Sequence, residues 1–168
     1  KRGRILTAGD YIAANGSALA GADGVVRYWY QTGSPPRIAL AQSPAWKPLP
    51  QPVLDPGPVN SWDERGVGDP YVIAAGGSLY LFYTGIDRAG RQRLGVAASK
   101  DGVQWSKLRS NPILEIGPDG TFDENGLGEP AVWASHGHYW MLYTGRDRRE
   151  YRKTGLAESD DGVRWTRS

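Results

Sequence analysis

Cysteine is absent from the 168 residues, so they offer no disulfide framework and no thiolate metal site. No apolar run approaches the length needed to cross a bilayer as a helix, so no membrane contact is expected. Charge of one sign is missing too. Formal net charge is +2, and no run of Lys or Arg supplies the electrostatic footprint of a nucleic-acid binder. The apolar stretch after Lys1–Arg4 is too short for a secretory leader, and a trimmed start would read the same, so the compartment stays open. No segment shows the spacing of an amphipathic helix. No feature asks for a cofactor.

What the chain does have is turn formers and large polar-edged aromatics: 23 Gly and 12 Pro, with 7 Trp and 9 Tyr against 2 Phe. That bias favours short strands joined by tight turns. Trp and Tyr can also stack on sugar rings, because they pair an apolar face with a polar edge. For most of them, filling sheet cores is the simpler role.

The strongest pattern is internal. Trp62–Lys107 aligns with Phe122–Arg167 without a gap, sixty residues on. The shared frame is Asp-Glu-x-Gly-x-Gly-Asp/Glu-Pro-x-Val, then an aromatic run ending Tyr-Thr-Gly-x-Asp-Arg, then Gly-x-Ala-x-Ser and Asp-Gly-Val-x-Trp. Pro52–Pro58 recurs as Pro112–Pro118 at the same offset, so the linker belongs to the repeat. Repetition on this scale signals a repeat architecture.

Each later copy reads as four strands. In the first they are Asp69–Ala74, Ser78–Thr84, Arg93–Ser99 and a short strand through Trp105, after an Asp101-Gly102 turn that needs positive φ. In the second they are Glu129–Ala134, His138–Thr144, Lys153–Ser159 and a strand through Trp165. The N-terminal third reads as a degraded copy. It has a brief strand at Asp10–Ala14, a loop over Asn15–Gly24, strands at Val25–Thr32 and Arg37–Ser43, and Trp46 as the close. Four short strands per unit of about 40–60 residues is the pattern of a β-propeller blade. The expected fold is therefore all-β: one partial propeller over 1–168, with four-stranded antiparallel blades near 5–47, 61–107 and 121–167. Propellers run from about 4 to 8 blades, so three cannot close a ring. Either more chain completes it, or two copies pair into a six-blade homodimer driven by open sheet edges.

In a propeller the first strand of each blade lines the channel. The repeats put Asp69 and Glu129 there, each before Pro, and Asp10 is the natural first-blade counterpart. One register, matching Ile12 to Ile73, keeps Asp10 on the same strand face as Asp69. Another resembles the Asn-Asp-Pro-Asn-Gly of fructan-cleaving propellers at Asn15-Gly16, which would put Ala13 at the nucleophile position and lose the classical mechanism. Asp63 and Asp123 recur unchanged, which suits a recurring turn better than divided chemistry. Asp87-Arg88 and Asp147-Arg148 read as ion-paired loop residues, although Arg can also grip a hydroxyl or phosphate. His136 and His138 replace Gly76 and Ser78, but two His without a third ligand do not make a metal site.

These motifs resemble the five-bladed propellers of glycoside hydrolase families 32, 43 and 68, with relatives in family 130. The resemblance rests on Gly-Asp-Pro at Asp69, Gly-Glu-Pro at Glu129, Tyr83-Thr-Gly, Tyr143-Thr-Gly and the Ser-x-Asp-Gly-x-x-Trp boxes at Ser99 and Ser159. It implies a carbohydrate partner and a glycosidase-like site, with furanosides or pentose-containing glycans as substrates. Glycosidic cleavage needs an acid for the leaving oxygen and a second carboxylate as base or nucleophile. By resemblance Glu129 would be the general acid, Asp69 would tune it and grip hydroxyls, and Asp10 would be base or nucleophile. Trp62, Phe122, Arg88, Arg148 and His136 are the candidates for substrate contact. The alternatives are a non-catalytic sugar-binding or assembly half-propeller, and a mannoside-type phosphorylase using Arg88 and Arg148.

Overall fold

A computed structural model describes Leu6 and residues 13–168. They form twelve strands and no helix. Blade one is β1 (Ala14–Ala20), β2 (Val26–Thr32), β3 (Arg37–Gln42) and β4 (Lys47–Pro48). Blade two is β5 (Gly66–Ala75), β6 (Ser78–Ile86), β7 (Gln92–Ser99) and β8 (Ser106–Lys107). Blade three is β9 (Gly126–Ser135), β10 (His138–Arg146), β11 (Arg152–Ser159) and β12 (Thr166–Arg167). Each is an antiparallel meander in chain order. The inner strands β1, β5 and β9 lie side by side. This is the partial propeller that the sequence implied.

The residues explain the stacking. In β6, Leu81 and Tyr83 face blade one, where they meet Trp29, Ile38 and Leu40. The alternate side chains, Tyr80 and Phe82, face blade three and meet Met141, Tyr143 and Trp165. A strand covered on both sides reads as a continuous apolar run rather than an alternating one. The linkers add a clasp. Leu54 bridges back to Ile38, and Leu114 bridges back to Leu94.

The Ser-x-Asp-Gly-x-x-Trp boxes are turns. Ser99 Oγ accepts the Gly102 N–H at 2.8 Å, and Asp101 Oδ1 accepts the amides of Val103 and Gln104, each at 2.8 Å. Trp105 Nε1 closes the loop on the Gly102 carbonyl at 3.0 Å. Gly102 has φ 76°, which only glycine adopts without strain. The Ser159 box repeats each contact. The amides of Gln104 and Val103 hold Asp101 below the usual carboxylate range, and those of Arg164 and Val163 do the same to Asp161.

Two expectations need correction. Asn15–Gly24 was expected as loop, but Ala14–Ala20 is a strand, the inner one of blade one. Its Ala, Gly and Ser carry no apolar alternation, so pairing with β2 decides its state rather than propensity. The closing strands begin after Trp105 and Trp165, not before them. The Asp10–Ala14 strand falls mainly outside the described residues, as does Asp10 itself.

Candidate active site

The site is built from three irregularities. Each inner strand carries one β-bulge. In β1, Ala14 pairs with Gln31 and Gly16 with Tyr30, so Asn15 is the extra residue. In β5, Gly68 pairs with Thr84 and Tyr71 with Phe82, so Asp69-Pro70 share one partner position. In β9, Gly128 pairs with Thr144 and Ala131 with Leu142, leaving Glu129-Pro130 in the same arrangement. The extra residue has φ 45° at Asn15, 47° at Asp69 and 55° at Glu129. Those are left-handed values that non-glycine residues rarely adopt, and a bulge re-aims the side chain it carries. Pro70 and Pro130 fit because the bulge asks no ladder hydrogen bond of them.

The three bulges open into one cleft of about 200 Å³, lined also by Gln31, Thr84, Gln92, Thr144, Arg146 and Arg152. Asn15 Nδ2 donates to Asp69 Oδ1 at 2.8 Å, from one blade to the next. Thr144 Oγ1 donates to Glu129 Oε2 at 2.7 Å, and Arg152 Nη1 lies 3.6 Å from Glu129 Oε1. Arg146 and Arg152 stand directly opposite each other on β10 and β11. Arg146 Nη1 meets Glu150 Oε2 at 3.2 Å, but its Nε is buried with no partner among the described residues.

Asp69 and Glu129 both line this cleft. The five candidates for substrate contact are not among the residues lining it. Trp62 stacks on Tyr83 at 5.6 Å, and Phe122 on Tyr143 at 6.0 Å. Each ring fills the space that a side chain at Gly85 and Gly95, or at Gly145 and Gly155, would take. They are packing rings. Arg148 meets Asp119 at 2.8 Å and Glu124 at 3.1 Å on a neighbouring surface. Arg88 is exposed at the β6–β7 turn, while its neighbour Asp87 pairs with Arg91 and Arg93, each at 3.0 Å. His136 occupies the β9–β10 turn, seven residues from Glu129 and so roughly 20 Å along the strand. Its Nδ1 lies 2.8 Å from Ser135 Oγ. His138 pairs with Asp160 at 2.7 Å, and no metal cluster occurs among the described residues.

Asn15, Gln31, Thr84, Thr144, Arg146 and Arg152 were missed. For the two arginines a signal existed: sixty residues earlier stand Ile86 and Gln92, so charge enters where the repeat is neutral. For Asn15 the match of Asn15-Gly16 to Asn-Asp-Pro-Asn-Gly was a signal, but its place beside Asp69 depends on a bulge.

Asp63 and Asp123 are structural. Asp123 is fully buried and accepts from Arg167 Nε at 2.7 Å, Thr121 Oγ1 at 2.9 Å and Tyr143 Oη at 3.0 Å. Burial pushes its carboxyl up, but the hydrogen bonds from Arg167 and Thr121, with Arg167's charge, outweigh that and hold it below the usual range. Burial and the Asp123 charge push the Tyr143 phenol up to about 12. Asp63 repeats the arrangement with Lys107 at 2.5 Å and Tyr83 at 3.3 Å.

Three four-stranded blades with acids on equivalent inner-strand bulges define a β-propeller with a carboxylate-bearing cleft. Residues 46–168 match the family model for the glycosyl hydrolases family 32 N-terminal domain. The chain belongs to that family. Over 127 residues it is 32% identical to a 1,2-beta-oligomannan phosphorylase of Thermoanaerobacter sp. (strain X514), covering 70% of this chain and 42% of that protein. It is 28% identical over 94 residues to an uncharacterised protein of Mycobacterium tuberculosis, covering 56% and 29% of the two. The chain thus spans less than half the length of these curated relatives. Among solved structures, a family 117 glycoside hydrolase of Zobellia galactanivorans superposes with TM-score 0.83 at 15% identity, over 94% of this chain and 55% of that one. Fructan 1-exohydrolase IIa from Cichorium intybus superposes with TM-score 0.75 at 22% identity, over 93% and 31%. At these identities the likeness concerns the fold.

Proposed function

We propose that this chain carries the cleft of an enzyme that cleaves glycosidic bonds in furanoside or pentose-containing glycans. The observation that carries the reading is the pair of unlike acids, Asp69 and Glu129, on equivalent bulges of adjacent inner strands. Equivalent backbone with unequal side chains suits two roles. Glu129, half exposed and held by Thr144, is the proton donor to the leaving oxygen. Asp69, fixed by Asn15, grips sugar hydroxyls beside the cleaved bond. Asn15 is an amide and cannot be base or nucleophile. That role falls to Asp10 or to a nucleophile from outside the chain. The test is hydrolysis of aryl furanosides by the wild-type chain and by Glu129→Gln. A loss of roughly 10²–10⁴-fold is expected from removing a general acid. Equal rates would sink the assignment. Sugar binding without turnover by either protein would favour the non-catalytic alternative.

A second reading is phosphorolysis of a mannoside. It is supported by Arg146 and Arg152 in the cleft and by the relative's name. Arg88 and Arg148 line no part of that cleft, so the cationic role passes to the cleft pair. Phosphate would be the external nucleophile, and the product from a β-1,2-mannooligosaccharide would be mannose 1-phosphate. Cleavage that does not depend on added phosphate would exclude it.

The six-blade homodimer also stays a proposal. Trp133 and Leu142, 42% and 40% exposed, support it. They occupy the positions that Ile73 and Phe82 use to seat blade three on blade two. Blade one's outer face is already partly covered, with Leu6 packed beside Tyr30, Ala39 and Ala41, so a partner would have to displace that cover.

A further inference from the structure

We propose that Gln31 and Thr84 are positioning residues, each setting from one blade the acid of the next. The inference rests on the catalytic reading of Asp69 and Glu129. A bulge takes its extra residue out of the ladder, so that residue's N–H needs another acceptor. At Asp69 the acceptor is Gln31 Oε1, 3.3 Å away on β2 of the preceding blade. At Glu129 it is Thr84 Oγ1, 3.2 Å away on β6, again one blade back. Gln31 and Thr84 hold equivalent places, each paired with the residue just before its own blade's bulge, Ala14 and Gly68. The same device therefore appears at both blade boundaries, with different side chains.

The surroundings are shaped for it. A Cβ on Gly68 would stand 2.1 Å from Gln31 Oε1, so the glycine leaves room for the amide to reach across. Thr84 is 1% exposed, so its side chain is fixed by packing where it meets the Glu129 N–H. In blade three the equivalent residue is Thr144, which turns its hydroxyl onto the Glu129 carboxylate instead. Glu129 is thereby held twice, at its backbone by Thr84 and at its carboxylate by Thr144. The left-handed φ of each acid is a conformation that its surroundings must enforce, and the preceding blade supplies part of that constraint.

The test uses the full chain with Thr84→Val, which keeps shape and removes the acceptor, and Thr84→Ser, which keeps the acceptor. Two readouts are taken. On an aryl furanoside, and on a β-1,2-mannooligosaccharide with phosphate, Thr84→Val should lower kcat about 10- to 100-fold with KM little changed. Thr84→Ser should restore most of the rate. Independently, amide exchange followed by NMR should show faster exchange at Glu129 in Thr84→Val than in wild type or Thr84→Ser. Gln31→Leu should do the same at Asp69 and leave Glu129 protected. Wild-type exchange at both amides in these variants would overturn the proposal, and so would equal rate losses in the Val and Ser variants. If the wild-type chain turns over neither substrate, the catalytic reading fails by itself, and the exchange measurement alone decides whether the acids are held from the preceding blade.

Discussion

Asp123 shows what one residue can be asked to do. It is buried, with Arg167, Thr121 and Tyr143 around it. Because its folded pKa lies below the unfolded value near 3.9, it contributes stability above that pH. The contribution is lost as pH falls through the folded value. Urea melts should therefore weaken below about pH 4 in the wild type, and Asp123→Asn should flatten that acid limb. Asp123→Ala removes the shared acceptor of Arg167, Thr121 and Tyr143 and should cost about 1–3 kcal/mol at neutral pH. Arg148→Ala is the contrast. Its pairs with Asp119 and Glu124 reach out from an exposed side chain, so its loss should cost under about 1 kcal/mol. The cleft arginines give the third residue-level expectation. If phosphate is the nucleophile, Arg146→Ala should raise its KM well above the change seen for the sugar, measured by initial rates at fixed mannooligosaccharide.

At the scale of elements, the boxed turns do more than end a strand. The Gly102 carbonyl accepts from Trp105 and also from Trp29 Nε1 of the neighbouring blade, at 2.9 Å. Trp29→Phe removes that buried donor and keeps most of the ring, so a loss of about 1–2 kcal/mol is expected by denaturant titration. Gly102→Ala should cost more, since the position has φ 76° and a Cβ would stand 2.8 Å from the Trp29 ring. These elements were also the ones most open to sequence reading. Tyr83-Thr-Gly and the boxes repeat at a fixed offset, and each strand they flank has its own apolar run. The inner strand of blade one was hidden for the opposite reason. Ala14–Ala20 has small side chains and no alternation, and only its ladder to β2 makes it a strand. The bulge that selects Asn15 was out of reach, because a single extra residue on one strand shows only against its partner. Asp69 and Glu129 were legible because a proline marks the same bulge in both.

For the molecule as a whole, the uneven treatment of its two outer faces is the testable feature. Blade three presents Trp133 and Leu142, while Tyr30 on blade one is almost wholly buried. If self-association completes the ring, light scattering on a size-exclusion column should give twice the chain mass, and Leu142→Lys should return it to a monomer. A monomer in the wild type would end the six-blade proposal and leave the open face to some other cover. The family and the propeller architecture stand either way, since both come from the chain itself.

The hold that Thr84 has on the Glu129 amide also bears on how such proteins could be cut and rejoined. A blade exchanged whole, at the linker 108–120, would bring its own acid but leave the acceptor of that acid's amide behind. A crossover placed inside β6, ahead of Thr84, would carry acceptor and acid together. The unit that recombines without loss is therefore the rear of one sheet joined to the front of the next. Chimeras spliced at that point should keep the acid's setting where chimeras spliced between sheets lose it.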